Sequence, residues 1–166
     1  MAKKRVLRKY DGQKRSWFKF ALMIGTAVIA TLIVFNVVLG VSKVSGNSME
    51  PALSDGQIVF YSRVSDDYNR GDVVSIKMPS GEKYVKRIVA IGGDEVDIKD
   101  NKLIVNGKIQ SYGMGTTEKG SFNMEYPFIL EKNTVFVLGD NRQASVDSRT
   151  FGPVVITSIS GKLLLR

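Results

Sequence analysis

The sequence predicts a mainly β domain preceded by one N-terminal transmembrane helix. Between residues 42 and 166 the apolar residues occur in short runs separated by turn residues, and no stretch repeats them with a helical period over a useful length. One long uncharged segment, Phe20 to Val41, comes before this region. The 125 residues after that segment suffice for one compact domain and hardly for two.

The basic residues of the chain are concentrated before the apolar segment. Residues 1–19 carry eight basic and one acidic side chains, whereas the remaining 147 residues carry 16 basic and 15 acidic ones. The balanced remainder argues against nucleic acid as a partner. By the positive-inside rule we expect residues 1–19 to be a cytoplasmic segment that contacts the lipid bilayer.

The apolar segment 20–41 is long enough to cross a bilayer. It contains 22 residues, none of them charged, and as a helix with a rise of ~1.5 Å per residue it spans roughly 33 Å. A cleavable signal peptide has a shorter apolar run of roughly 7–15 residues followed by small residues. We therefore predict an uncleaved single-pass anchor, which leaves residues 42–166 outside the cytoplasm. The absence of Cys means that this domain depends on no disulfide, as suits a bacterial envelope.

Seven strands are predicted in the exported domain, each an apolar or alternating run bounded by turn residues. They are residues 57–61, 72–78, 83–91, 95–98, 103–105, 134–138 and 154–160. Two hairpin-turn signals, Asp100-Asn101 and Asn106-Gly107, predict a small meander over residues 95–110. Residues 111–123, rich in Gly, Thr and Ser, read as a loop, so that about 95–133 form a small insertion of hairpin and loop.

The chain contains no His and no Cys. Their absence excludes the Ser-His-Asp triad, the Cys-His dyad and the usual zinc ligand sets, so no metal site is expected. An activated Ser in this chain needs another base, either a Lys that loses its proton or a desolvated Asp or Glu. Arg is excluded because its guanidinium stays protonated.

Ser48 is the candidate nucleophile, seven residues after the apolar segment and therefore near the membrane surface. A Ser among Gly, Asn and Ser residues is more often an ordinary turn residue, so its context has to decide. Gly46 permits close approach of another backbone, and Pro51 fixes φ just beyond the Ser. Such a rigid turn can present the Ser48 N–H to an oxyanion.

Lys86 is the candidate base. On the predicted strand 83–91, Tyr84 and Ile88 share its face while Val85 and Val89 share the other, so the strand is apolar on both faces. Burial lowers the pKa of a Lys, and a drop of about three units corresponds to ~4 kcal/mol. The alternative, a Lys that extends to solvent from a strand end, stays open at this point.

A polar block, Gly139 to Gly152, follows the predicted strand 134–138. Such residues often only cap turns at a surface. In a catalytic interpretation Asp147 and Arg149 pair and fix the loop, and the Ser145 hydroxyl exchanges a hydrogen bond with the Lys86 amine.

The motif Ser80-Gly81-Glu82-Lys83 matches the S-x-x-K pattern of penicillin-recognising enzymes, but it lacks the companion K-T-G and reads as a hairpin turn.

Taken together these motifs resemble the bacterial type I signal peptidases, membrane-bound Ser-Lys endopeptidases that remove signal peptides from exported preproteins. The resemblance covers nearly the whole chain and is greatest to members from Gram-positive bacteria. The motifs follow the N-terminal anchor in the order of that family: Ser48-Met49-Glu50-Pro51-Ala52-Leu53, Gly71-Asp72-Val73-Val74, Tyr84-Val85-Lys86-Arg87, Gly92-Gly93-Asp94, and Gly139-Asp140-Asn141-Arg142 with Ser145, Asp147, Ser148 and Arg149.

The resemblance implies an antiparallel β catalytic domain in which Ser48 is the nucleophile and Lys86 the general base, with no metal or organic cofactor. It also implies that the preprotein binds as an added strand and is cut after small residues in an Ala-x-Ala pattern. The implied substrate-binding residues are Val44, Ser45, Met49, Leu53, Tyr84 and Val85. The implied location is the bacterial cell membrane, with secretory preproteins as substrates and the secretion translocon as a further partner.

Two residues depart from the family pattern. Some members carry a Ser two residues before the nucleophile, where this chain has Gly46, so the oxyanion hole is expected to depend mainly on the Ser48 N–H. Ala52 stands in place of a usual Thr that has no catalytic role. Competing interpretations are a self-cleaving protease of the repressor type, which the anchor argues against, and a catalytically silent or narrow-client relative that binds preproteins or pilins.

Overall fold

A computed structural model describes residues 2–65 and 67–164, with side chains described from residue 16 onward. The chain forms two compact units, Met1–Val38 and Leu39–Arg166.

The first unit is a single long helix. Helix α1 (Ala2–Ile33) continues into one π-helical turn (Val34–Val38). Its portion Ser16–Val38 has a mean hydropathy of 2.4 and the length needed to cross a membrane. The polar side chains Thr26, Thr31 and Asn36 each donate to a carbonyl three or four residues earlier in the helix, so their hydrogen bonds are satisfied internally.

The second unit consists of two antiparallel sheets. The strands are β1 (Leu39–Lys43), β2 (Ile58–Ser62), β3 (Val73–Lys77), β4 (Lys83–Ile91), β5 (Glu95–Lys99), β6 (Lys102–Val105), β7 (Lys108–Ile109), β8 (Phe128–Ile129), β9 (Thr134–Leu138), β10 (Val154–Val155) and β11 (Ile159–Leu163). The larger sheet has the order β1-β2-β11-β3-β4-β9-β10 and the smaller the order β7-β6-β5-β8. One helical turn, α2 (Ser148–Phe151), and two 3₁₀ turns (Arg142–Ala144 and Ile156–Ser158) complete the unit. The predicted mainly β class with one N-terminal apolar helix is confirmed.

Most predicted strands are found within one or two residues of their expected bounds, and the meander over 95–110 is confirmed as β5, β6 and β7. The single strand expected at 154–160 is wrong, because β10 pairs with β9 whereas β11 pairs with β2 and β3. The 3₁₀ turn Ile156–Ser158 separates the two, so that β10 forms an edge of the sheet while β11 lies between β2 and β3. Strand β1 was not expected, since its first residues continue the apolar run of the preceding helix.

Because of its register, the first part of β4 has a free edge at which another strand could bind. β3 pairs with β4 along Lys83 to Arg87, whereas β9 pairs with it only from Arg87 to Ile91. On the side of β9, the segment Lys83–Lys86 therefore has no partner among the described strands. A core cluster that includes Val44, Met49 and Val85 joins the segment after β1 to the inner face of this strand.

Candidate active site

The structure brings Ser48 and Lys86 into direct contact. The Lys86 Nζ lies 2.8 Å from the Ser48 Oγ, although the two residues are 38 positions apart in the chain. Lys86 is on β4 and only 4% exposed, whereas Ser48 lies partly buried in the turn that follows Val44. A hydroxyl bonded to a buried amine is an arrangement that can support nucleophilic catalysis without a His.

The surroundings of Lys86 favour its neutral form. Val74 lies directly across from it on β3, and the centroid of the Tyr84 ring is 5.6 Å from its Nζ. Burial lowers the pKa of Lys86 from 10.5 to about 8, an effect that Arg149 reinforces and the charges of Asp147 and Asp140 oppose. With a pKa near 8, roughly one molecule in ten carries the neutral amine at pH 7.

The turn that carries Ser48 is fixed by backbone hydrogen bonds. Gly46 adopts a φ of +78°, and its N–H donates to the Asp55 carboxylate at 2.7 Å. The Ser48 carbonyl accepts from the Asn141 N–H at 3.0 Å, which ties the turn to the loop after β9. Within residues 2–65 and 67–164 no hydrogen bond engages the Ser48 N–H, so this donor is available to an oxyanion.

The loop after β9 is organised around a buried carboxylate. Asp147 is 0% exposed and accepts from the Gly139 N–H and from both the backbone and the guanidinium of Arg149, with Nε at 2.8 Å. Arg149 also donates to the Arg142 carbonyl at 2.6 Å. The pairing of Asp147 with Arg149 inferred from the sequence is thus present in the structure.

Ser145 is held close to the dyad without bonding to it. Its Oγ is buried and has no hydrogen-bond partner among the described residues, so the expected bond to Lys86 is not formed. A Cβ added at Gly139 would lie 2.2 Å from the Ser145 Oγ and 2.5 Å from the Ser48 carbonyl oxygen. Only glycine fits at residue 139, because the loop packs directly against the turn that carries Ser48.

Two further arginines hold this loop, and the sequence analysis assigned them no role. Arg87, next to Lys86, donates to the Asp140 carboxylate at 2.7 and 2.6 Å and to the Gly71 carbonyl at 2.7 Å. Arg142 is buried and donates to the Gly139 carbonyl and the Thr117 hydroxyl. The conspicuous run Gly139-Asp140-Asn141-Arg142 was the available signal, but a sequence does not show which partners its charges find.

The segment 111–123, expected as a loop, packs against the loop that follows β9. Met114 bridges to Asn141, and the Phe122 N–H donates to the Arg149 carbonyl at 3.0 Å. A Cβ added at Gly113 would lie 2.5 Å from the Asp140 carbonyl oxygen, which shows how closely the two backbones approach. The insertion therefore supports the loop that surrounds Ser145.

A groove of about 480 Å³ leads to the dyad. It is lined by Lys43, Val44, Ser45, Gly46, Asn47, Ser48, Glu82, Lys83, Tyr84, Val85, Lys86, Ala144 and Val146. Met49 and Leu53, two of the expected binding residues, are 0% and 1% exposed and belong to the core next to Val44 and Val85. The sequence analysis missed the charged lining residues and the pair Ala144 and Val146, because only the tertiary structure brings them to the groove.

Comparison with known proteins gives a consistent result. Residues 16–166 match the model of the family described as signal peptidase, peptidase S26. Signal peptidase I P of Bacillus subtilis subsp. natto is 32% identical over 161 residues, which are 90% of this chain and 84% of that protein. Signal peptidase IB of Staphylococcus aureus is 29% identical over 172 residues, covering 92% of this chain and 90% of the relative.

Two other matches cover the two compared chains unequally. Thylakoidal processing peptidase 1 of Arabidopsis thaliana is 34% identical over 156 residues, 85% of this chain but 45% of the plant protein. A crystal structure of a signal peptidase I from Enterococcus faecalis is 29% identical and covers 59% of this chain and 97% of that one, with a TM-score of 0.46.

These matches define a hydrolase of the serine peptidase class. The chain belongs to the signal peptidase family, peptidase S26, as its motifs suggested, and its function is the removal of signal peptides from secretory preproteins.

Proposed function

We propose that this signal peptidase works through a Ser-Lys dyad in which Ser48 is the nucleophile and Lys86 the general base. The observation that carries the proposal is the 2.8 Å contact between Lys86 Nζ and Ser48 Oγ, made by a lysine that is buried in the domain. The chain offers no His to take the place of Lys86. The low pKa of Lys86 supports the role, because a base has to be neutral before it can accept a proton.

The reaction follows from these positions. Neutral Lys86 accepts the hydroxyl proton as the Ser48 Oγ attacks the scissile carbonyl carbon, and the Ser48 N–H stabilises the resulting oxyanion. Protonated Lys86 then gives its proton to the leaving amine, which forms the new N-terminus of the mature protein. Lys86, neutral again, removes a proton from the water that hydrolyses the acyl-enzyme, and the proton returns to Ser48.

The surrounding loop has a positioning role in this proposal. Asp147 and Arg149 hold the loop that packs on the Ser48 turn, while Asp140 anchors Arg87 beside Lys86. Burial lowers the pKa of Lys86, while the charge of Asp147 raises it and the charge of Arg149 lowers it further. Ser145 packs against Gly139 close to the Ser48 carbonyl and so supports the turn that carries the nucleophile.

The substrate lies in the groove as an added strand. The free edge of β4 at Lys83–Lys86 forms one wall and the segment Val44–Ser48 the other, so backbone groups of both can pair with an extended peptide. Val44, Ser45, Tyr84 and Val85 line this narrow space, and Met49 and Leu53 support it from the core. Narrow apolar walls favour small side chains at the first and third positions before the cut.

The membrane arrangement is the remaining part of the proposal. We infer a cytoplasmic segment at residues 1–19, an anchor at about 20–41 and an extracytoplasmic catalytic domain at 42–166, with residues 95–133 as its insertion. The apolar helix Ser16–Val38 supports the anchor, and the basic N-terminal residues support the orientation. A single pass in the bacterial cell membrane would bring the groove to preproteins as the translocon delivers them.

The proposal is tested with detergent-solubilised protein and a preprotein that carries an Ala-x-Ala site. Wild type is expected to cut after the second Ala, as mapped by mass spectrometry of the new N-terminus, and both Ser48→Ala and Lys86→Ala are expected to abolish the cut. Ser80→Ala and Lys108→Ala change exposed residues of the same kinds and serve as controls that retain activity. Folded wild-type protein that binds the preprotein but never cuts it would instead indicate a silent binding relative.

A further inference from the structure

The end of the groove away from Ser48 is basic. Lys43, the last residue of β1, and Lys83, the first residue of β4, both line it with exposed side chains. Neither forms an ion pair with a carboxylate among the described side chains of residues 16–65 and 67–164. Two residues that line the groove thus carry ammonium groups with no ion-pair partner among those side chains.

Tyr61 shows which way the groove runs. Its buried phenol accepts a hydrogen bond from the Lys83 Nζ at 3.3 Å, and its ring lies against Gly40 of β1, where an added Cβ would be 2.2 Å from the ring. The start of β4 and the start of β1 thus both contact Tyr61, whereas Lys86 of β4 and Ser48, beyond the end of β1, contact each other. Both walls run in the same direction, from the Tyr61 end to the dyad end.

Nearby charges leave the field of Lys83 positive. Lys77 lies directly across from it on β3, and the Arg63 guanidinium is 5.8 Å from the centroid of the Tyr61 ring. The Glu82 carboxylate, the one acidic group of the lining, accepts from the hydroxyls of Ser80 and Tyr84 at 3.3 and 3.4 Å. The Asp55 carboxylate is taken up by the Gly46 N–H.

We propose that Lys83, assisted by Lys43, is a specificity determinant that selects preproteins with an acidic side chain four to six residues before the cut and disfavours Lys or Arg there. This inference rests on the proposed function, which puts the residue before the cut beside Lys86. Lys83 is three strand positions, about 10 Å, before Lys86, so a peptide that runs parallel to β4 brings its fourth residue before the cut beside Lys83. A lysine side chain reaches roughly 6 Å further along the strand, which extends its influence to the sixth residue.

The expected effect is modest because these lysines are exposed. Exposed ion pairs change an equilibrium by roughly 1.5- to 5-fold, and a like charge acts in the opposite sense by a similar factor. The two factors multiply, so between an Asp and a Lys at the same substrate position we expect roughly a two- to 25-fold ratio of kcat/KM at low salt. The ratio should shrink as salt is added, because exposed charges are screened.

The test uses peptides with a fixed Ala-x-Ala site that carry Asp, Gln or Lys at one position, moved from the sixth residue before the cut to the fourth after it. Wild type is expected to prefer Asp over Lys at one or more of the fourth to sixth positions before the cut. Lys83→Glu is expected to reverse that ratio. The matched control Lys108→Glu, an exposed charge reversal on β7 away from the groove, is expected to leave it unchanged.

Binding separates this proposal from the catalytic one. Fluorescence anisotropy of the same labelled peptides on Ser48→Ala is expected to give the same order of affinities, Asp before Gln before Lys, even when nothing is cut. Equal binding of the three peptides by wild type and by Lys83→Glu would overturn the charge selection. A charge preference found only at positions after the cut would also overturn the proposal. So would a loss of activity in Lys83→Glu that is the same for all three peptides and appears only when the protein is in vesicles with anionic lipid.

Discussion

Replacing Lys86 by Met should make the protein inactive but more stable at neutral pH. Lys86 is 4% exposed, and its pKa falls from 10.5 to about 8 on folding. At ~1.36 kcal/mol per unit, this drop corresponds to about 3 kcal/mol of destabilisation when the amine is protonated in both states. Met removes that cost and fills similar space. The loss of the hydrogen bond to Ser48 destabilises the variant by about 1 kcal/mol, which reduces the gain. The expected net gain is about 2 kcal/mol.

The stability difference between wild type and Lys86→Met should depend on pH in a definite direction. The folded-state pKa of Lys86 is lower than the unfolded one, so the unfolded chain binds more protons between about pH 8 and 10.5. The wild type therefore becomes more stable, relative to Lys86→Met, as the pH rises through that window. Below about pH 8 the destabilisation by Lys86 is complete, and above the unfolded pKa it is gone.

The assay is urea unfolding in detergent, followed by circular dichroism, of wild type and Lys86→Met between pH 6 and 10. The variant is expected to be more stable by about 2 kcal/mol at pH 7, with the difference vanishing or changing sign near pH 10. Lys83→Met is the matched control, because Lys83 lies on the same strand with an exposed side chain and should show little difference. A variant clearly less stable than wild type at pH 7, or a difference that does not vary with pH, would refute the reasoning.

Two further substitutions test the loop that holds the dyad. Asp147→Asn removes the carboxylate that pairs with buried Arg149 and should lower the free energy of unfolding in urea by roughly 3–5 kcal/mol. Because the Asp147 charge raises the pKa of Lys86, its loss should also move the acid limb of the pH–rate profile to lower pH. A move to higher pH would contradict the effect assigned to Asp147. Gly139→Ala has no room for its Cβ beside Ser145 and Ser48, so kcat should fall about a hundredfold, and a wild-type kcat would show that the loop yields without harm.

The sequence predicts most of the large sheet because its strands are short apolar runs that end at clear turn residues. The prediction misses β1, because its residues Leu39–Val41 continue the apolar run of the preceding helix and nothing in the sequence separates the strand from the helix. It fails also at residues 154–160, where one apolar run serves two different strand partners. Neither outcome is visible in local periodicity, because each depends on pairing across the sheet.

The contact between Ser48 and Lys86 is predictable in part because the composition narrows the choice of base. Without His or Cys, an activated Ser48 needs a Lys or a desolvated Asp or Glu, and the strand pattern around Lys86 favours its burial. The details are not predictable in the same way. Ser145 proves to be close to the dyad but unbonded, and Met49 and Leu53 lie in the core instead of on the groove. The basic end of the groove exists because β9 leaves the first residues of β4 unpaired, a property of register alone.

The pH dependence of kcat/KM for a neutral Ala-x-Ala peptide tests the central assignment of Lys86 as the base most directly. If neutral Lys86 takes the Ser48 proton, the rate should rise tenfold per pH unit on the acid side, bend near pH 8 and become level above it. A rate that stays flat from neutral pH down to about pH 5 would contradict the account, because Lys86 would then be almost fully protonated while the enzyme still worked at full speed.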